Sequence, residues 1–265
     1  MRGYFLISFL CAMSFLVVKN LLKKFDGIIA VQNLSFAVNK NDIFAIIGPN
    51  GAGKTTTFNL LSGVLQADSG EIYFNGDLLL GLKPYQIASR GVVRTFQSVN
   101  LFDNMTVIDN VKVGCHKKAR SEIFAAALRT GQFRKEEKYI TGTAYDTLRL
   151  VGLESRAGEM AGNLPFGQQR LLEIARSLAG DPELLLLDEP AAGLNALETS
   201  ELAALILKLQ TQGITIVIIE HDMELVMEIS KNIIVLDQGV KIAEGTPRDI
   251  QSNKTVIAAY LGEEY

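Results

Sequence analysis

The chain has 265 residues, enough for one large domain or two small lobes around an apolar core. Hydrophobic residues make up 48% and charged residues 21%, a balance ordinary for a globular protein. The net charge of −3 argues against a mainly electrostatic nucleic-acid binder, because such proteins carry a basic excess. Cys11 and Cys115 sit in no metal-ligand spacing and suggest no disulfide framework, which reads as a reducing, cytoplasmic compartment.

In chain order, the first feature is an apolar run from Tyr4 to Val18 after Arg2. It resembles the charged start and apolar region of a signal peptide, and it is short of the roughly 20 residues of a membrane span. Met13 is an in-frame methionine followed by a strand-like run at residues 15–18. The favoured reading makes Met13 the natural first residue and residues 1–12 a non-native extension; a lipid-contacting leader is the alternative. Residues 43–47, 184–187, 214–219 and 233–236 are short apolar runs broken only by Thr215, as in parallel strands buried on both faces. Residues 72–74 lead into the turn dipeptide Asn75-Gly76, and residues 233–236 and 240–243 flank Asp237-Gln238-Gly239, so both read as hairpins. From about 106 to 179 the pattern is helical, with candidate helices at 121–128 and 135–151. Ser121 is a cap, and Gly131 and Gly152 are stops. Lys117, Lys118 and Arg120 read as a solvated basic loop, with lipid headgroups or a membrane partner as the alternative contact.

Two motifs carry chemistry. Gly48-Pro49-Asn50-Gly51-Ala52-Gly53-Lys54-Thr55, followed by Thr56, matches the phosphate-binding loop and lies between a strand and a helix, the context it requires. Glycines let the backbone wrap closely and aim N–H groups at phosphate oxygens, and the following helix presents its positive end to the same anion. Lys54 supplies a charge to the β and γ phosphates, and the Thr55 hydroxyl can ligate Mg²⁺. The strand at 184–187 ends in Asp188-Glu189: Asp188 can hold the Mg²⁺ hydration shell and Glu189 can orient or deprotonate water. The expectation is an enzyme that binds ATP with Mg²⁺ and hydrolyses it. Such a loop also argues against secretion. Gln97 lies in a loop-like run, and His221 follows the strand at 214–219, where α/β sheets place ligands.

Leu164-Pro165-Phe166-Gly167-Gln168-Gln169-Arg170 precedes a helix-like stretch at 171–178. With the other motifs in the same order, the chain resembles the ATP-binding subunits of ABC transporters from about residue 13 to 261. The resemblance implies a P-loop NTPase (RecA-like) α/β core at 14–95 and 176–265, with an antiparallel β subdomain and an inserted α-helical subdomain at about 96–175. It implies two subunits, identical or paralogous, facing head to tail, so that Pro165, Phe166, Gly167 and Gln168 contact in trans the γ-phosphate held by the partner's loop. The family's usual run is Leu-Ser-Gly-Gly-Gln. Pro165 replaces the serine, which removes a cross-dimer hydroxyl, and Phe166 replaces a glycine. Gln97 is implied to sense Mg²⁺ and the attacking water beside the membrane-domain contact. His221 is implied to hold the γ-phosphate, and Phe25 to stack on adenine. Asn195 stands where aspartate is more common.

The runs Glu189-Pro190-Ala191-Ala192-Gly193-Leu194-Asn195, Glu244-Gly245-Thr246-Pro247 and Ala258-Ala259-Tyr260-Leu261-Gly262 are similar to the larger ATPase of branched-chain amino acid importers. That resemblance implies transmembrane permease partners, an indirectly associated solute-binding protein and a place on the cytoplasmic face of the membrane. Uptake of urea or short amides, lipopolysaccharide export, and a soluble ATPase of the same type are the competing readings.

Overall fold

A computed structural model describes residues 14–97, 99–115 and 131–261. Residues 1–12 with Met13, the helix expected at 121–128 with Ser121, and Lys117, Lys118 and Arg120 lie outside the described residues.

The chain enters as a long hairpin. β1 (Leu16–Phe25) pairs antiparallel with β2 (Ile28–Val38) through Asp26-Gly27, at φ +44° and +90°. The strand expected at 15–18 thus runs on to Phe25, and Asp26-Gly27 is the turn signal that marks its end. After β3 (Ile43–Ile47), β4 (Ser69–Phe74) and β5 (Asp77–Leu78) join this hairpin in an antiparallel sheet of order β2-β1-β4-β5. β6 (Val92–Arg94), β7 (Leu184–Asp188), β8 (Thr215–Ile219), β9 (Asn232–Asp237) and β10 (Val240–Gly245) join β3 in a second sheet of order β10-β9-β3-β8-β7-β6. Every pairing in it is parallel except β9–β10, whose hairpin turns at Gln238 and Gly239.

The apolar runs follow from burial on both faces. Phe44, Ile46, Leu184, Leu186, Val217 and Ile219 point toward the antiparallel sheet and helix α1 (Lys54–Leu61), packing on Leu21, Phe36 and Phe58. Ile43, Ala45, Leu185, Leu187, Ile216 and Ile218 point to the opposite side. There they share one apolar cluster with α3 (Val107–Gly114), α4 (Gly131–Leu150) and α5 (Phe166–Leu178), after the short α2 (Pro84–Ser89). The helical segment therefore packs into the same core as the sheet. Side chains of this size each contribute roughly 1.5–3 kcal/mol when removed from water. The fold closes with α6 (Ala196–Thr211), α7 (Met223–Ile229), α8 (Pro247–Gln251) and α9 (Lys254–Leu261).

Two local expectations are corrected. Gly131 does not stop a helix; it lies within the described part of α4, which ends before Gly152 at φ +76°. α5 does not begin after the Leu164–Arg170 run but inside it, at Phe166.

Candidate active site

β3, β7 and β8 are adjacent and parallel, so their carboxyl ends gather in one place. The loop after β3 is tightly seated. A methyl group on Gly48 (φ +149°) would lie 2.0 Å from the Leu236 carbonyl oxygen, and one on Gly53 (φ +96°) would lie 2.3 Å from that of Ala30. Only glycine fits either position. Ala52 is buried, and its carbonyl accepts from the Gly239 N–H at 3.1 Å, which binds the loop to the β9–β10 turn. Pro49 is half-buried, while Asn50, Gly51 and Thr55 are exposed and Thr56 is half-buried.

Lys54 is buried and folds back over the loop, donating to the carbonyls of Gly48 at 2.6 Å and Pro49 at 2.9 Å. Burial lowers its pKa; Glu189 and Asp188 work against that shift by favouring the charged form. The Gly53 position that starts α1 carries no side-chain cap, so the first amides of the helix remain available to an anion.

At the end of β7, Asp188 is buried and its Oδ2 accepts from Arg94 Nη2 at 2.7 Å. Burial raises the Asp188 pKa, and the Arg94 bond opposes this. Arg94 Nη1 also donates to Asn59 Oδ1 at 2.7 Å and Ser62 Oγ at 3.1 Å, tying β6 to α1 beneath the loop. Glu189 follows in the left-handed region, φ +46°. Of the eight non-glycine residues with positive φ among the described residues, six are Asn or Asp, which tolerate it. Glu189 and Gln238 are the two exceptions, and such a backbone costs about 1–3 kcal/mol.

Gln97 Nε2 donates to Glu189 Oε2 at 3.0 Å, and His221 Nδ1 lies 3.9 Å from the same oxygen. The structure therefore brings Gln97, Glu189 and His221 together although they are distant in sequence. Beneath them is Glu220, fully buried. Its Oε1 accepts from the Ala191 N–H at 2.7 Å, and its Oε2 from the N–H groups of His221 at 3.0 Å and Asp222 at 3.5 Å. Burial raises the Glu220 pKa while these amides oppose it. One carboxyl thus organises the loops after both β7 and β8. Sequence reading passed over Arg94 and Glu220; the available signal was a charge at the end of an apolar strand.

The donors present suit Mg²⁺, a hard cation that takes oxygen ligands. The exposed Thr55 hydroxyl, the Asp188 carboxylate and the Gln97 amide oxygen are all of that kind.

Two groups of predicted residues have other neighbours. Phe25 ends β1, 41% exposed, with Lys23 Nζ 5.3 Å from its ring centroid; β2 then carries the chain to Ala30 against Gly53. Pro165 occupies the position before α5 (φ −54°, ψ 151°) with no side-chain cap. It is the capping residue itself, not part of the first helical turn, so the absent hydroxyl is an absent cap. Gly167 packs on Glu198, the Phe166 ring packs on Gly193, and Gln168 is half-buried. Asn195 caps α6 reciprocally with Glu198, a task asparagine performs as well as aspartate.

Comparison with known proteins gives the chain its relatives. Residues 31–192 match the family described as ABC transporter, and residues 240–265 match one described as branched-chain amino acid ATP-binding cassette transporter. The chain is similar to the high-affinity branched-chain amino acid transport ATP-binding protein BraF of Pseudomonas aeruginosa, 46% identical over 94% of this chain and 98% of the relative. LivG of Escherichia coli, of the same description, is 47% identical over the same shares. Among solved structures, a nucleotide-free ATP-binding cassette from an ABC transporter superposes with a TM-score of 0.83 at 32% identity, covering 95% of this chain and all of that one. A dimeric cassette in a post-hydrolysis state with ADP and Pi gives 0.74 at 25% identity, covering 88% and 99%.

Proposed function

Because the chain belongs to the ABC transporter family, we propose that it hydrolyses ATP to ADP and phosphate and thereby powers branched-chain amino acid uptake through transmembrane permease subunits. The observation that carries the hydrolytic part is the meeting of Gln97, Glu189 and His221 beside a loop that only glycine can line. The names of the relatives and the match over residues 240–265 support the solute class.

In this reading Gly48 to Thr56 wrap the terminal phosphates with backbone amides, and Lys54 exchanges its two loop carbonyls for phosphate oxygens. Thr55, Asp188 and Gln97 would hold Mg²⁺, partly through water, and when bound it would supply charge neutralisation for the β and γ phosphates. Glu189 takes the proton of the attacking water, Gln97 keeps that carboxylate aimed, and His221 holds the γ-phosphate. Phe25 stacks on the adenine.

The second half of the site comes from another copy or paralogue of the chain. The uncapped start of α5 presents free amides, and Phe166 is 47% exposed there. The dimeric cassette with ADP and Pi supports this arrangement. The permease docks in a cavity of about 470 Å³ lined by Tyr85, Phe96, Glu173 and Arg176, next to Gln97 in the chain. Among the described residues no helix is long and apolar enough to cross a membrane. The subunit is peripheral, at the cytoplasmic face, and works with a solute-binding protein only indirectly. The core at 14–95 and 176–265 carries the phosphate loop, and the helical segment at about 96–175 carries motion to the permease.

The test is transport by the full complex in liposomes. Glu189→Gln is expected to abolish ATP-driven leucine uptake and phosphate release while ATP still binds. Undiminished phosphate release would overturn the hydrolytic reading; release without leucine uptake by the unmodified complex would overturn the solute.

A further inference from the structure

Arg170 heads the largest side chains that are fully buried in the described structure. Its hydrogen bonds go to the Gln97 loop and to Glu173, which bonds the same loop. Its Nη1 donates to the Phe96 carbonyl at 3.1 Å and to Glu173 Oε2 at 3.1 Å, and its Nη2 donates to the Gln97 carbonyl at 2.9 Å. Glu173 Oε1 in turn accepts from the Phe96 N–H at 3.3 Å. The Arg170 and Glu173 side chains are 2% and 1% exposed. One charge pair on α5 thus fixes three backbone groups of the loop that carries Gln97. On its outer side the Arg170 guanidinium lies 5.7 Å from the ring centroid of Phe166, at the start of the same helix. Stability alone is a weak reason for such a pair, because apolar residues of like volume often hold a core as well or better. What it adds is a fixed register between a helix and a loop.

We propose that Arg170, held by Glu173, is a positioning residue for hydrolysis: it sets Gln97 on Glu189 from the helix whose start faces the other subunit's nucleotide. Phe166, Arg170, Gln97 and Glu189 then form one physical connection between the surface that completes the partner's site and the carboxylate of the chain's own site. This rests on the roles of Gln97 and Glu189 proposed above.

The experiment compares Gln97→Ala, Arg170→Met, the double variant of these two, and Arg170→Met with Glu173→Leu, all in the full chain. It reads kcat and KM for ATP, nucleotide binding and melting temperature. Arg170→Met is expected to lower kcat by about 10²-fold, the cost of a misplaced catalytic contact, with KM unchanged. Adding Arg170→Met to Gln97→Ala should cost nothing further, since residues acting as a unit are not additive. The Arg170→Met, Glu173→Leu protein removes the buried charges together and should regain the melting temperature but not kcat; it carries the test if Arg170→Met alone fails to fold. Losses that multiply in the double variant, or kcat that returns with the melting temperature, would overturn the proposal. Full kcat in Gln97→Ala would instead remove the role of Gln97 on which it stands.

Discussion

The starts of α1 and α5 differ from the capped starts of four other helices. α3, α6, α7 and α8 each begin with a side-chain cap, from Thr106, Asn195, Asp222 and Thr246. α1 begins at Gly53 and α5 at Pro165, neither with a side-chain cap. A cap satisfies amides that otherwise await a ligand, and its absence costs about 1 kcal/mol. The two starts then differ. The α1 start is enclosed by Ala30, Leu236 and Gly239 and has its own buried lysine. The α5 start exposes Pro165 and Phe166 and has no charge of its own at its tip. In the proposed function the first is a binding site within one chain, whereas the second is half of a site and takes the phosphate of the partner's nucleotide.

The sharpest way to break that comparison is at Glu189, the carboxylate proposed for hydrolysis. Glu189→Gln should lower kcat by about 10²–10⁴-fold while ATP affinity is kept, measured by phosphate release and by nucleotide binding. If both fell together, Glu189 would belong to binding and the division of labour would fail. Lys54→Ala should weaken ATP binding by roughly 10–100-fold, the worth of a hydrogen bond to a charged group, with the fold intact by melting. An unchanged Kd would remove the distinction between the two helix starts.

A smaller effect sharpens the same point through pH. Burial holds the Lys54 pKa below that of a free lysine. Between the two values the unfolded chain binds more protons than the folded one, so nucleotide-free stability rises with pH across that alkaline window. ATP affinity should fall across the same window, because the ligand favours charged Lys54. Titration calorimetry against pH is the measurement, and a curve no different from that of Lys54→Arg would contradict it. Smallest is Pro165→Ser. It supplies the missing cap and should raise the melting temperature by about 2–4 °C. No rise would mean that the α5 start is not limited by its cap.

The two starts also differ in how far sequence revealed them. The phosphate loop was legible because each residue type is dictated locally: glycine where a Cβ would strike a carbonyl, lysine and threonine at fixed spacing, a strand before and a helix after. The four buried strands were legible because both faces are covered, which leaves Thr215 as the one polar residue in the runs. The α5 start is hidden in the sequence because Pro165 gives no cap signal, so the helical pattern becomes visible only after the run. Arg170 and Glu173, charged residues three apart on a helix, look the same in sequence whether they meet water or a loop seventy residues away.

The sequence by itself determined the glycine-lined loop after β3, the acids Asp188 and Glu189 and the strands that place them, because these depend on backbone sterics and on burial of both strand faces within a few residues. Only the tertiary structure decided that Gln97 meets Glu189, that Glu220 joins two loops and that Arg170 grips a third. Those are contacts between segments far apart in the chain, and they exist only once the sheet order has brought the segments together.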